Sequence, residues 1–476
     1  MTDLAQPSST RLPAVKHDAQ GKRRVDLRAV IALALPLFVN SSIQALLNLT
    51  DTWFIGRLST DATAAVGASY WFMIVAILFF GGPGLAVQTL AAQAFGAGDK
   101  RSASRAAWAG IRGTLLVAPA FVVIAFLGPT IIGWLKLDAH VAQLAAEFWF
   151  PRVLGGAFAV GIWGMTGFFN GIGRTRITLA LMTFVAVLNA ALNQLFIFVF
   201  DWGVAGTGWA TTAAMGIGLL VSIVLITRRG IDAEFNSCKT WRESRADLGM
   251  LFRVGFPIGL FPAIDVAGLA AFQAMQAAAG AVGGAATQIV MMLTSIAYLP
   301  TMGFALAGTT LVGQSIGAGD KDWATKVGNA TIKLAVGYMG FVTVFLAVIG
   351  PWLVPLFVNA SDPHADAVIA LGRTLLWFAA GYQIFDGLNL GAGFCLRGAG
   401  DMRVPTLAII FLSWFVFVPF THMFTFAPGQ GWVDFLPQYG YGAVGGWAVA
   451  LVYCCLLGSL IYLRWRSGAW RKINLR

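Results

Sequence analysis

Long apolar runs alternate with short clusters of Gly, Pro and charge along almost the whole chain. They stand near 29–55, 63–92, 106–133, 142–169, 177–200 and 203–227, and then near 250–277, 283–312, 327–357, 366–396, 403–426 and 442–464. Each matches or exceeds the roughly 20 apolar residues that an α-helix needs to cross a bilayer. The pattern predicts an all-α, polytopic membrane protein with twelve transmembrane helices. The first 28 residues are polar and carry Arg11, Lys16, Lys22, Arg23, Arg24 and Arg28. The apolar run that follows them is too long for a signal-peptide core, so this tail is expected to stay attached.

Composition agrees with that reading. Hydrophobic residues make up 58% of the chain and charged residues 11%, with a mean hydropathy of +0.75; a soluble core cannot hide so much apolar surface. The net charge of +11 is unevenly spread. With the N-terminus cytoplasmic, the inner loops hold Lys100, Arg101 and Arg105, then Arg174 and Arg176, the cluster at 228–253, Lys321 and Lys326, and Arg397 and Arg403, whereas only Arg57 and Lys136 fall outside. The tail from Arg464 to Arg476 is basic again. Both termini are thus expected on the cytoplasmic side by the positive-inside rule. Scatter over seven segments, with no single basic patch, argues against a nucleic-acid partner. The four cysteines (Cys238, Cys395, Cys454, Cys455) lack the spacing of a disulfide framework or zinc site and read as small buried hydrophobes.

The chain repeats itself. Gln93 to Lys100 reads QAFGAGDK and Gln314 to Lys321 reads QSIGAGDK, an offset of 221 positions that also separates Pro36 from Pro257. Gly171 to Arg176 (GIGRTR) answers Gly398 to Arg403 (GAGDMR), and VAGTGW ending at Trp209 answers AVGGW ending at Trp447. The expected organisation is a cytoplasmic tail (1–28), an N-lobe of six helices (29–227), a charged cytoplasmic linker (228–249), a C-lobe of six helices (250–464) and a second cytoplasmic tail (465–476). An even number of spans per half makes the copies parallel, with a substrate path expected between them. The repeat also weakens a serine-hydrolase reading of GQSIG at Gly313 to Gly317: the first half has Ala94 at the serine position, and the flanks are a helix and a loop where the hydrolase elbow needs a strand and a helix.

Polar groups inside these runs are the functional candidates, because they are costly in hydrocarbon and persist mainly facing a cavity or partner. Asn40, Gln44, Asn48 and Asp51 follow at steps of 4, 4 and 3, one helical stripe. It reads either as a helix–helix hydrogen-bond seam or as the lining of a cavity. Asp51, about 35 Å along the helix from Arg28, reads also as an outer-interface residue. Asn189 and Asn193, one turn apart and followed by Gln194, form a second patch, and Thr211 faces either the same cavity or the packed core. In the second half Asp265 and Asp386 each lie roughly 17 to 18 Å from the cytoplasmic end, near mid-membrane. Equal depth suggests one shared site, or two structural carboxyls that hold protons. Tyr382 is four residues before Asp386, on the same face. Many aromatics in the second and fourth runs read mostly as lipid-facing or core residues, with some left to stack on flat substrates.

The order of the Asp51-Thr52 end of the first run, QAFGAGD at Gln93 to Asp99, NGIGRTR at Asn170 to Arg176 and LRGAGD at Leu396 to Asp401 resembles the multidrug and toxic compound extrusion (MATE) transporters, in particular the branch of bacterial norfloxacin exporters. The resemblance covers about 29–464. It implies a non-enzymatic antiporter of a bacterial inner membrane, exporting cationic or amphipathic small molecules by alternating access, with Na+ or H+ as coupling ion, no other cofactor, membrane lipids around it, and a monomeric state. It implies that Asp51 titrates in an N-lobe cavity with Gln44, Asn48, Asn189, Asn193 and Thr211, and that Asp265, Asp386 and Tyr382 form a C-lobe cation site, the two aspartates as candidate Na+ ligands. Asn193 stands where several relatives carry an aspartate, and Asp265 replaces the usual glutamate. Carboxylates suit either ion, because hard cations take oxygen ligands and a carboxyl can carry the proton instead. Two further classes stay open: a lipid-linked precursor flippase, which should place several cations in the cavity where only Arg152 and Arg373 lie in or near runs, and a passive channel or structural membrane protein.

Overall fold

The computed structural model describes residues 12–135, 137–358 and 363–475, with backbone alone at 60, 296 and 297; Arg11 and Lys136 lie outside the described residues. The described residues include twelve long rods: α1 (Leu27–Gly56), α2 (Thr60–Phe80, resuming as Gly82–Gly96), α3 (Lys100–Phe126), α4 (Ala139–Leu154, resuming as Gly156–Gly171), α5 (Thr175–Gln194) and α6 (Gly203–Thr227), then α7 (Leu248–Ala278), α8 (Ala281–Gly317), α9 (Lys321–Val348), α10 (Ala365–Ala399), α11 (Arg403–Phe411, resuming as Val418–Thr425) and α12 (Gly442–Arg466). Among the described residues eleven helices are long and apolar enough to cross a membrane, and α8 makes a twelfth crossing that bends by 46° between Ser295 and Tyr298. Pro300 accounts for that bend, since its ring clashes with the carbonyl one turn earlier. The protein is an integral membrane protein, and helices suit it because they satisfy their own backbone where no water can.

The repeated motifs are helix stops and starts. Gly98, Gly173, Gly319 and Gly400 all have φ between +78° and +83°, the left-handed terminator that glycine adopts without steric cost. The aspartates of the first and third motifs then cap the next helix: Asp99 accepts from the Ser102 backbone N–H at 2.9 Å and Asp320 from that of Trp323 at 2.7 Å. Each GAGD loop therefore ends one helix and begins another within four residues.

Short elements brace the same end of the bundle. Two strands unforeseen in the polar tail, β1 (Val15–His17) and β2 (Arg23–Val25), pair antiparallel, and the hairpin is held to α9 by Trp323, whose indole N–H donates to Pro13 O at 2.8 Å, and by the Arg23–Asp320 ion pair at 2.9 Å. The linker is folded into short helices, Arg229–Phe235 and Ser237–Glu243. It is clamped onto α3 through Arg105–Asp247 (2.6 Å), Arg101–Glu243 and Arg112 lying 3.9 Å over the Trp241 ring. Its acidic residues Glu234, Glu243 and Asp247 pair with N-lobe cations, whereas Arg228, Arg229, Lys239, Arg242 and Arg245 stay exposed.

The lobes meet along α1, α2, α7 and α8. At the loop end they interlock. A β-carbon on Gly96 would overlap the carbonyl oxygen of Gln314, and one on Gly317 that of Gln93, so only glycine permits this reciprocal approach. Polar side chains stitch the seam: Gln88 donates to Leu306 O at 3.1 Å, Thr89 to Arg397 O at 2.9 Å, Gln93 to Gly398 O at 2.9 Å, Thr310 to Asn170 O at 3.0 Å, Gln314 to Gly171 O at 2.8 Å and Arg397 to Leu85 O at 2.7 Å.

Candidate functional site

At the other end of the bundle the lobes part around a cavity of about 580 Å³. Its wall comes from the C-terminal half of α1 (Asn48, Asp51, Thr52, Ile55), from α2 (Thr63, Tyr70, Met73, Ile77), from α4 (Phe148, Arg152), and from Gln288 and Ser295 of α8 in the opposite lobe. The size and the mix of apolar wall with a few polar groups are those of a small-molecule site.

Asp51 is the best-supported group in it. The Asn193 side-chain amide donates to one carboxylate oxygen at 2.7 Å and the Thr211 hydroxyl to the other at 3.0 Å, while Asn189 donates to Thr211 at 3.1 Å. Three helices converge here because α5 presents Asn189 and Asn193 one turn apart and α6 lies against it. Of the N-lobe residues anticipated as cavity lining, only Asn48 and Asp51 reach the wall. Asn189, Asn193 and Thr211 are buried and form a shell behind Asp51. Gln44 is exposed and stands apart from the cavity wall. The stripe is therefore no continuous helix–helix seam, and buried Asn40 leaves its side-chain oxygen without a partner.

The Asn193 substitution has chemical content. Its N–H group serves an ionised Asp51, and its own side-chain oxygen is buried without a hydrogen-bond partner. Rotating the amide by half a turn would offer that oxygen to a protonated Asp51. The asparagine can thus satisfy either state of one carboxyl. Just beyond it the helix continues as a π-turn, Leu195–Val199, and the equivalent fifth helix of the C-lobe carries another, Leu412–Phe417.

In the C-lobe, Asp265 on α7 and Asp386 on α10 are brought within electrostatic reach of each other. The Tyr453 hydroxyl on α12 donates to Asp265 at 3.1 Å, and its ring stacks on Phe417 at 4.5 Å. Tyr298, at the α8 bend, feels both carboxylates. Tyr382 is close to Asp386 and beside Thr294, with its ring stacked on Trp447 at 6.3 Å. The tyrosine bonded to Asp265 is therefore Tyr453, which sequence reading missed; the signal was a hydroxyl at mid-span of α12, hidden among apolar neighbours. Among the described residues no three His, Cys, Asp or Glu side chains converge on a metal-binding cluster. The donors gathered here are carboxylate and phenolic oxygens, the kind that hard cations take as ligands.

The serine of GQSIG is accounted for. Ser315 is buried in the last turn of α8 and donates to Leu311 O at 2.6 Å, a helix-internal bond that leaves no elbow geometry.

The family model for MatE matches residues 36–195 and again 257–423, so its two copies begin at the same Pro36 and Pro257 that mark the repeat. A "Probable multidrug resistance protein NorM" of Pseudomonas putida is 31% identical over 462 residues, 93% of this chain and 95% of that protein. The "Multidrug resistance protein NorM" of Burkholderia vietnamiensis is 29% identical over 409 residues, 84% and 87% of the two chains. A solved structure titled "Outward-facing conformation of a multidrug resistance MATE family transporter of the MOP superfamily" shares the fold with a TM-score of 0.79 at 20% identity, over 93% of this chain and 96% of that one. With the family model matched once in each half of the chain, in register with the internal repeat, and a relative above 30% identity along nearly its full length, this chain belongs to the MatE family.

Proposed function

We propose that the protein is a multidrug efflux transporter of the bacterial inner membrane, a cation-coupled antiporter with both termini cytoplasmic that works as a monomer and does no covalent chemistry. The observation that carries this is the asymmetry of the lobe interface: sealed by interlobe hydrogen bonds at the GAGD end and parted around a cavity with a carboxylate in its wall at the other. One seal and one opening are what one half of an alternating-access cycle requires.

In this reading the cavity takes amphipathic small molecules, and Asp51 attracts their basic groups. Na+ or H+ arriving from outside neutralises Asp51 or occupies the Asp265–Asp386 site, the attraction is lost, and the substrate leaves outward. Two neighbouring carboxylates in a low-dielectric lobe repel unless a cation or proton lies between them, so binding the ion draws α7 and α10 together. The names of the relatives and the architecture support this reading. Proteoliposomes loaded with a fluorescent amphipathic amine test it: an imposed Na+ or pH gradient should drive its movement, and the ion that works identifies the coupling. Movement that ignores both gradients would sink the antiporter and leave a passive pore.

A further inference from the structure

On the C-lobe, away from the interlobe cavity, the chain turns back after α12 and builds a second pocket. Gly468 takes φ +68°, the left-handed conformation that reverses a chain without steric cost. It brings Trp470 face to face with Trp465, ring centroids 4.7 Å apart and planes 5° from parallel, and the Trp470 indole donates to Trp465 O at 3.0 Å. Beside this buried pair, between α9 and α12 at the loop end of the bundle, lies a pocket of about 380 Å³. Its polar wall offers donors. The Trp465 indole donates to the Asn329 side-chain oxygen at 2.8 Å, which leaves the Asn329 NH2 group open. Arg464 and Arg471 are paired with Asp401 and Asp322, and Arg471 is braced by Thr325 at 2.7 Å. Arg466, exposed and lining the same pocket, has no ion pair among the described residues. One turn beyond Asn329 on the same face of α9 stands Lys333, also exposed and unpaired among the described residues, and past it α9 runs uncharged to Val348.

We propose that this pocket holds the phosphate headgroup of an anionic phospholipid, with Arg466 and the Asn329 amide on the phosphate oxygens, Lys333 at the membrane flank and an acyl chain along the uncharged part of α9. Phosphate oxygens only accept hydrogen bonds, which matches a wall of open donors, and a guanidinium takes them two at a time. Depth selects a lipid over a soluble phosphate. The helix ends that frame the pocket stand where apolar spans give way to charge, and the long stem of Lys333 lies against lipid while its ammonium reaches the interface. A bilayer presents phosphates at that level, and basic pockets between membrane helices take acidic headgroups. Charge selects an anionic lipid over a zwitterionic one, whose own amine would be crowded among Arg466, Arg471 and Lys333. The pocket shares no residue with the interlobe cavity, so the proposal needs only that this end of the bundle meets a membrane interface.

The test titrates purified full-length protein in detergent with phosphatidylglycerol or phosphatidylcholine and counts bound lipid by native mass spectrometry. Wild type should hold phosphatidylglycerol about tenfold or more tightly than phosphatidylcholine, the size of one charge-assisted hydrogen bond. Arg466→Gln combined with Lys333→Gln should remove that preference by weakening phosphatidylglycerol alone, whereas Arg242→Gln, at an exposed linker cation, should leave it intact. Equal binding of the two lipids by wild type overturns the proposal, as does an unchanged preference in the double variant. An equal loss in Arg242→Gln also overturns it, since the effect would then be one of overall surface charge. Inorganic phosphate should fail to displace the lipid; displacement would make a soluble anion the occupant and end the lipid assignment. Should the double variant fail to fold, the wild-type comparison of the two lipids decides by itself. Failure of the transporter reading is distinguishable, because lipid binding is measured here without any ion gradient or substrate.

Discussion

Gln93 and Gln314 occupy equivalent places in the two halves and hold the lobes together reciprocally: Gln93 donates across the seam to Gly398 O at 2.9 Å, and Gln314 donates back to Gly171 O at 2.8 Å. The accepting glycines are themselves paired by the repeat. Donors and acceptors thus exchange roles between the two halves across the seam, as in a symmetric dimer interface fused into one chain.

These bonds exist only while the loop end is shut, so their removal should favour opening there. Each buried hydrogen bond contributes about 1 kcal/mol, and Gln93→Ala with Gln314→Ala should shift the closed-to-open ratio by about 2 kcal/mol, more than tenfold. A cysteine at Thr310, buried in the seam, should become reactive to a soluble maleimide from the loop side in the double variant. Unchanged labelling would show that the glycine packing alone keeps the seal.

Asp51 is expected to be required for transport but not for folding. Asp51→Asn keeps shape and much of the hydrogen bonding while removing the charge and the titration; export should fall at least tenfold in protein that elutes normally on size exclusion. Normal export by that variant would remove Asp51 from the mechanism. Asn193→Asp places a second carboxyl against the first, and the pair should then hold a proton between them, making transport more strongly dependent on pH than in wild type.

For the C-lobe, Asp265→Asn and Asp386→Asn should each weaken cation-driven release more than substrate binding measured without a gradient. Tyr453→Phe deletes the hydroxyl that donates to Asp265 and should shift the half-activating cation concentration by about tenfold, the size of one hydrogen bond to a charged group. Tyr382→Phe should shift it less, since that ring is placed by stacking on Trp447. The reverse order would move the ion site toward α10.

Orientation is read with single thiols. Cys238 lies exposed in the linker and should resist an impermeant reagent added outside intact cells, whereas a cysteine placed at Gln430, exposed between α11 and α12, should react. Labelling in the opposite sense would invert the membrane topology.

By itself the sequence determined the twelve helices, because a bilayer accepts little else from twenty-residue apolar runs, and the two halves, because equal folds keep equal stop-and-start signals such as Gly98-Asp99 and Gly319-Asp320. It also marked Asp51, Asp265 and Asp386, since a carboxyl in an apolar run stands out against every neighbour. The tertiary structure decided what surrounds them. Tyr453, beside two cysteines, carries no pattern of its own in a one-dimensional reading; its role arises from Asp265, 188 positions away, brought to it by α7 against α12. The tail hairpin is the same case, since two three-residue strands are too short to signal themselves and are held by Trp323 and Asp320 of a distant helix. Periodicity reports how each helix meets its solvent, whereas which helices face one another, and hence which charges share a cavity, is set by packing between segments far apart in the chain.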